Sequence, residues 1–141
     1  MRRTEQFRKQ HEGIVGLVQE ISKKLDSRTV ADNAQEMRLI ISKLAGLVKV
    51  HLAMEDKALY PSLATSSDPT VTATAKRFMT EMGGISEAFN KYYEKWTTQA
   101  IRDQSDAFIR ETQRLFNILG QRIERENNEL YPLADKLASS N

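Results

Sequence analysis

The sequence predicts an all-α protein, an up-down-up-down antiparallel four-helix bundle built from two fused helical hairpins. Three observations predict it. First, the chain overlies itself after a shift of 71 residues: Phe7-x-x-x-His11-Glu12-Gly13-Ile14 falls on Phe78-x-x-x-Met82-Gly83-Gly84-Ile85, and His51-x-x-x-Glu55-x-x-x-Leu59-Tyr60-Pro61 falls on Arg122-x-x-x-Glu126-x-x-x-Leu130-Tyr131-Pro132. A unit this long that occurs only twice is a duplicated half-bundle rather than a solenoid repeat. Second, four segments place apolar residues at steps of three and four, the seam of a left-handed bundle. Third, the connectors are short, so neighbouring helices run antiparallel.

The first helix carries Phe7, His11, Ile14, Val18, Ile21 and Leu25 on its seam, with Thr4 as the expected N-cap. Asp26-Ser27-Arg28 breaks it. The second carries Met37, Ile41, Leu44, Val48, His51, Glu55 and Ala58 or Leu59, with Asp32 as the expected cap. After the break at Ala64-Thr65-Ser66-Ser67, Asp68-Pro69 pairs an N-cap with a proline at the first helical position. The third helix then runs through Phe78, Met82, Ile85, Phe89, Tyr92 and Trp96. A connector is expected from Thr97 to Arg102, and Asp103 is expected to cap the fourth helix, whose seam is Phe108, Thr112, Leu115, Leu119, Arg122, Glu126 and Leu130. Pro61 and Pro132 should bend or end helices two and four. Gly13 and Gly84 sit at equivalent places and suggest close helix packing, and Ala138 to Asn141 should fray. All 141 residues are read as one domain, with a pseudo-repeat at 4–65 and 70–136.

Composition excludes several classes. The chain has 21 basic and 19 acidic residues, a formal charge of +2, and no basic stripe interleaved with aromatics, so nucleic acid is not an expected partner. It has no cysteine, which removes disulfides, iron–sulfur clusters and thiol catalysis. No apolar run is long enough to span a membrane, and Arg2-Arg3 is not followed by an apolar stretch and does not read as an export signal, so a cytoplasmic protein is expected.

Five ionisable residues fall on the apolar seam: His11, His51, Glu55, Arg122 and Glu126. Such groups are costly inside a bundle unless they are paired or bound to a metal. His51 and Glu55 lie four apart and project from one helix face. His11 and His51 are the only histidines in the chain. On these residues, and on the Leu-Tyr-Pro that follows each glutamate, the sequence resembles the hemerythrin and HHE cation-binding family from about Phe7 to Leu137. The resemblance implies a four-helix bundle that binds two irons through a histidine on helix one, His-x-x-x-Glu on helix two, a histidine or pair on helix three, and His-x-x-x-Glu or Asp on helix four. On that basis His11, His51, Glu55 and Glu126 are candidate metal ligands.

The departures lie inside the site. Met82 stands at the helix-three histidine position, Ser86 offers no imidazole one turn on, and Arg122 stands at the helix-four histidine position. A thioether is a poor iron ligand among oxygen and nitrogen donors, and a guanidinium is no ligand. One divalent metal, iron or zinc, is therefore expected rather than a di-iron centre, and Arg122 is expected to bridge Glu55 and Glu126 as a metal-substituting cation. The opposing reading has Arg122 snorkelling to solvent at the bundle end.

Two functions follow from this set. One is a single-metal protein in iron, oxygen or nitric oxide handling or sensing, with a small diatomic or anion at an open position. The other is a metal-free relative used for protein interaction or regulation, with Arg122 in place of a metal. No nucleophile or acid–base pair stands out beyond this site, which argues against an enzyme. Tyr60 and Tyr131 are expected to cap the bundle end, and an exposed helix face leaves a homodimer open.

Overall fold

Helix α1 spans Glu5–Lys23 and α2 spans Ala34–Met54; a π-helical turn, Glu55–Leu59, joins α2 to the short α3, Tyr60–Ala64. Then come α4, Pro69–Met82, and α5, Ile85–Lys95, followed by α6, Thr98–Asp103, and α7, Ser105–Arg125. A second π-helical turn, Glu126–Leu130, leads into α8, Tyr131–Ser139. The computed structural model describes residues 4–139; the side chains of Met82, Ala138 and Ser139 lie outside the described residues. The Met82 side chain at the expected helix-three ligand position therefore falls outside the description, as do Arg2-Arg3 and residues 140 and 141 of the expected frayed end.

The described residues form an all-helical bundle with no strand among them. Helix α1 packs on α2 and α7, α2 also meets α5 and α6, and α3 packs on α4. One core cluster runs through all of these helices. The seam positions behave as their period requires: Phe108, Thr112, Leu115, Leu119, Arg122, Glu126 and Leu130 are all buried. In the second helix Leu59 is buried and Ala58 exposed, which resolves that alternative.

Both prolines are accommodated without ending their helices. In a continuous α-helix the Pro61 ring would meet the carbonyl four residues back. The π-helical turn relieves this by letting the Tyr60 N–H reach Glu55 O, five residues back; the Tyr131 N–H reaches Glu126 O in the same way ahead of Pro132. The two widened turns fall at equivalent places of the repeat.

Several local expectations need correction. Only Asp68 caps as expected, its carboxylate accepting from the Thr70 N–H ahead of Pro69. Thr4 caps nothing with its side chain, which is bonded instead to Asp135 of α8. Helix α2 starts beyond Asp32, at Ala34, because hydrogen-bonded turns from Asp26 continue to Asn33. The expected connector from Thr97 to Arg102 is mostly helix: Thr97 is extended and its hydroxyl accepts from Ala100 N–H, so it nucleates α6. Asp103 consequently ends α6, and Gln104 precedes α7.

The third helix is broken at Gly83-Gly84. Two consecutive glycines lower helix propensity by about 1 kcal/mol each. A Cβ at Gly83 would come within 2.7 Å of Met79 O, so the backbone there closes in a way only glycine permits. Close packing does not explain the repeated glycines: a Cβ at Gly84 would meet nothing within 4 Å, and one at Gly13 would make ordinary contact, 3.6 Å, with Leu47.

Candidate metal centre

Four donor side chains converge in the core. His11 comes from α1, His51 from the last turn of α2, and Glu55 and Glu126 from the first positions of the two π-helical turns. All four are buried. Nε2 of His11 lies 3.0 Å from Nε2 of His51 and 3.0 Å from Glu126 Oε1. Nε2 of His51 lies 3.0 Å from Glu55 Oε1 and 3.7 Å from Glu126 Oε1. One donor atom from each residue fits within a span of 4.8 Å.

The separations of 3.0–3.7 Å suit a single ion, and the widest pair within the 4.8 Å span would draw together on it. Bonds of about 2.0–2.1 Å put ligand atoms roughly 3.3 Å apart around a tetrahedral centre and roughly 2.9 Å apart at adjacent octahedral positions. Two imidazoles and two carboxylates are a donor set for iron or zinc.

The imidazoles are oriented from behind. Nδ1 of His11 lies 2.8 Å from Asn127 Oδ1, and Nδ1 of His51 lies 2.7 Å from Gln10 Oε1. Gln10 Nε2 lies 3.1 Å from Met54 Sδ, which fixes that amide with its oxygen toward the ring. With Nδ1–H donated to an amide oxygen, each ring turns Nε2 to the cluster, the arrangement that fixes tautomer and direction in metal-binding histidines. The Tyr131 ring stacks on His11 at 5.1 Å, and Phe7 packs edge-on to His51 at 6.0 Å.

The carboxylates are held crosswise. Tyr60, five residues after Glu55, donates to Glu126 Oε2 at 2.9 Å; Tyr131, five residues after Glu126, donates to Glu55 Oε2 at 2.7 Å. Both phenols are pushed above their usual range, by burial first and by the glutamates next, so both stay protonated donors. Arg122 does not snorkel. Its Nε lies 3.3 Å from Glu126 Oε2 and its Nη2 3.4 Å from Glu55 Oε1, so the guanidinium spans the two carboxylates.

Tyr60, Tyr131, Gln10 and Asn127 are the site residues that sequence reasoning missed. Ser86 lies half-buried outside the cluster.

Protonation is distributed unevenly. Burial by itself would lower the pKa of His51, but hydrogen bonds and charge from Glu126 and Glu55 outweigh it and raise the group to about 9. Burial would raise Glu126, yet hydrogen bonds with His11 and His51 and the Arg122 charge hold it well below the usual carboxylate range. For Glu55 burial prevails and the carboxyl is raised.

A raised histidine stabilises the metal-free fold fully below about pH 6.5 and loses that contribution as pH rises through about 9. The same proton must leave before an ion can take Nε2. Zinc affinity is therefore expected to rise about tenfold per pH unit from pH 6 to 8.5. Competition against a chelator of known pH dependence measures this, and a flat profile would contradict the protonation described here.

A helical core that brings two imidazoles and two carboxylates within reach of one ion defines, by its donor set, a candidate cation-binding bundle. The chain belongs to the hemerythrin HHE cation-binding domain family, whose model matches residues 2–134. No curated protein and no solved structure gives a significant match to the chain. Among the described residues no helix is long and apolar enough to cross a membrane.

Proposed function

We propose that this protein binds one divalent ion, iron or zinc, through His11, His51, Glu55 and Glu126, with Arg122 taking the place of a second cation. The carrying observation is the pair of Nδ1 contacts to Asn127 and Gln10, which aim both Nε2 atoms at one point beside two carboxylates. We read the scaffold as two fused hairpins, residues 4–65 and 70–136, in one up-down-up-down bundle. The role that fits is iron, oxygen or nitric oxide handling or sensing in the cytoplasm. Reversible oxygen carriage as peroxide takes one electron from each of two irons, and a single ion does not supply both. Loading with ferrous iron under anaerobic conditions should give about one ion per chain. Two irons per chain with a stable visible oxy-spectrum would overturn the reading.

One observation favours a second reading, a metal-free interaction or regulatory module. The polar atoms of the cluster find partners within the protein, and Arg122 already spans both carboxylates. Thermal melts of metal-free protein with and without zinc separate the two. An ion that binds only the native state at 100 times its dissociation constant adds about 2.7 kcal/mol and raises the midpoint. No shift at millimolar zinc would select the module.

A further inference from the structure

The four proposed ligands, His11, His51, Glu55 and Glu126, are all buried, so none offers a donor directly to solvent. One of them nevertheless borders a surface groove. Between α1 and the end of α7 lies an open cavity of about 380 Å³ whose lining includes His11 and Asn127. Val15, 36% exposed, and the buried Ile123 wall it, and the exposed Glu12 stands at its rim. At the inner end the half-buried Asn127 holds Nδ1 of His11 with its Oδ1 at 2.8 Å. Nε2 of the same ring lies 3.0 Å from Glu126 Oε1. A single imidazole therefore separates the groove from the cluster.

We propose that this groove is the port by which a divalent cation reaches the cluster, and that the contact between His11 and Asn127 is its gate. The inference rests on the metal-binding reading above and concerns the rates of capture and release. Glu12 adjoins His11 in the chain, so the rim carboxylate meets a hydrated cation one residue from the first ligand. Arg8 also lines the groove, but its charge is matched: Nη2 lies 3.4 Å from Asp135 Oδ2, and Nε donates to Thr4 Oγ1 at 3.0 Å. The recess that Arg122 and Tyr60 line is bordered by none of the four ligands, so a cation entering there meets a buried guanidinium first. In a core of low effective dielectric that repulsion is several times stronger than in water. The gate itself is weakly closed. One hydrogen bond at the edge of water holds the His11 ring on this side, and such a bond is worth about 0.5–1.5 kcal/mol net.

A port and a site differ in kinetic signature. A residue on the path alters the barrier, so capture and release change by one factor and the dissociation constant stays. A residue of the site changes the dissociation constant, chiefly through release. The test uses the full chain, zinc as the probe and a fluorescent zinc chelator as the reporter. Equilibrium affinity is measured first, which reports on the metal reading before any rate is interpreted. Stopped-flow mixing then gives the capture rate, and competition with the chelator gives the release rate.

Val15→Trp fills the groove and should slow capture and release alike, each by about tenfold or more, at an unchanged dissociation constant. Met79→Trp, at the mouth of the Arg122 recess, should leave both rates as in the parent. Glu12→Lys should slow capture by about threefold or more at low salt, and the effect should vanish near 1 M salt, where the screening length falls to about 3 Å. Asn127→Ala should speed both rates, release by the larger factor, because the ring also loses an outer support worth roughly 10–100-fold in affinity. The port is overturned if zinc enters Val15→Trp at the parental rate, if Met79→Trp slows it equally, or if Val15→Trp shifts the dissociation constant instead. Parental capture by Glu12→Lys at low salt overturns it too, and that variant decides if Val15→Trp does not fold. Unchanged capture by Asn127→Ala removes the gate, since a residue that only positions the ring would alter release alone. If zinc binds none of the proteins, the metal reading falls and the port falls with it.

Discussion

Arg122→Met is expected to destabilise the metal-free protein by about 3–5 kcal/mol, the usual cost of removing one partner from a buried ion pair. For a chain of this size that is a fall in melting temperature of roughly 10–15 °C. The guanidinium is buried and lies against both Glu55 and Glu126, so its removal leaves two buried carboxylates with less compensating charge. The same change should strengthen zinc binding by at least tenfold, because the ion then meets an anionic pair no longer shared with a fixed cation. Excess zinc should accordingly recover much of the lost stability. Arg122→Lys should fall between the two, since an ammonium is a point charge without the fork that reaches both glutamates. Denaturant titrations with and without zinc measure all three proteins. A metal-free Arg122→Met protein as stable as the parent, or one with weaker zinc affinity, would show that Arg122 is not the cation that balances this pair.

The helices and the ion cluster were legible because both follow from simple periods. Steps of three and four carry Phe7 to Ile21 and Phe108 to Leu119 inward, and the i,i+4 relation of His51 and Glu55 survives because α2 reaches to Met54 and Glu55 opens the next turn. The tyrosines were not legible for the same reason. Tyr60 is five residues beyond Glu55, and at about 100° per residue an unbroken α-helix would turn it roughly 140° away from the glutamate. The π-helical turn ahead of Pro61 lowers the twist per residue and brings the phenol back to the cluster. A proline following an inward glutamate in both repeats was the available signal. Gln10 and Asn127 each adjoin a seam residue, so a period-based reading places them off the face. They reach the histidines of other elements, which no local pattern encodes. The break at Gly83-Gly84 and the start of α6 at Thr97 were visible only as a glycine pair and a capping residue inside a seam that otherwise continued.

The repeat makes Glu55 and Glu126 equivalent in sequence, but their surroundings make them unequal in energy. Glu126 Oε1 lies 3.0 Å from His11 Nε2, while its Oε2 accepts from Tyr60 at 2.9 Å and from Arg122 at 3.3 Å. Its folded pKa is depressed, so its charge stabilises the fold above the unfolded value and is lost as pH falls through the folded one. Glu55 is raised, chiefly by burial, which reverses the sign: its ionised form opposes folding as pH rises past the unfolded value. Glu126→Gln should therefore destabilise the metal-free protein at pH 7 by about 3–5 kcal/mol, the cost of leaving buried cations unpaired. Glu55→Gln should cost clearly less, because an amide there relieves part of the burial penalty on the charge. Toward zinc the two variants should look alike, each losing a carboxylate ligand and at least 100-fold in affinity, beyond the 10–100-fold typical of losing an outer-shell partner. The informative measurement is the pair of denaturation curves without metal set beside the pair of zinc affinities. Equal costs in the metal-free protein, or a larger cost at Glu55, would mean that the charge resides on the amino-terminal glutamate instead, and the assignment of Glu126 as the ionised hub would be wrong.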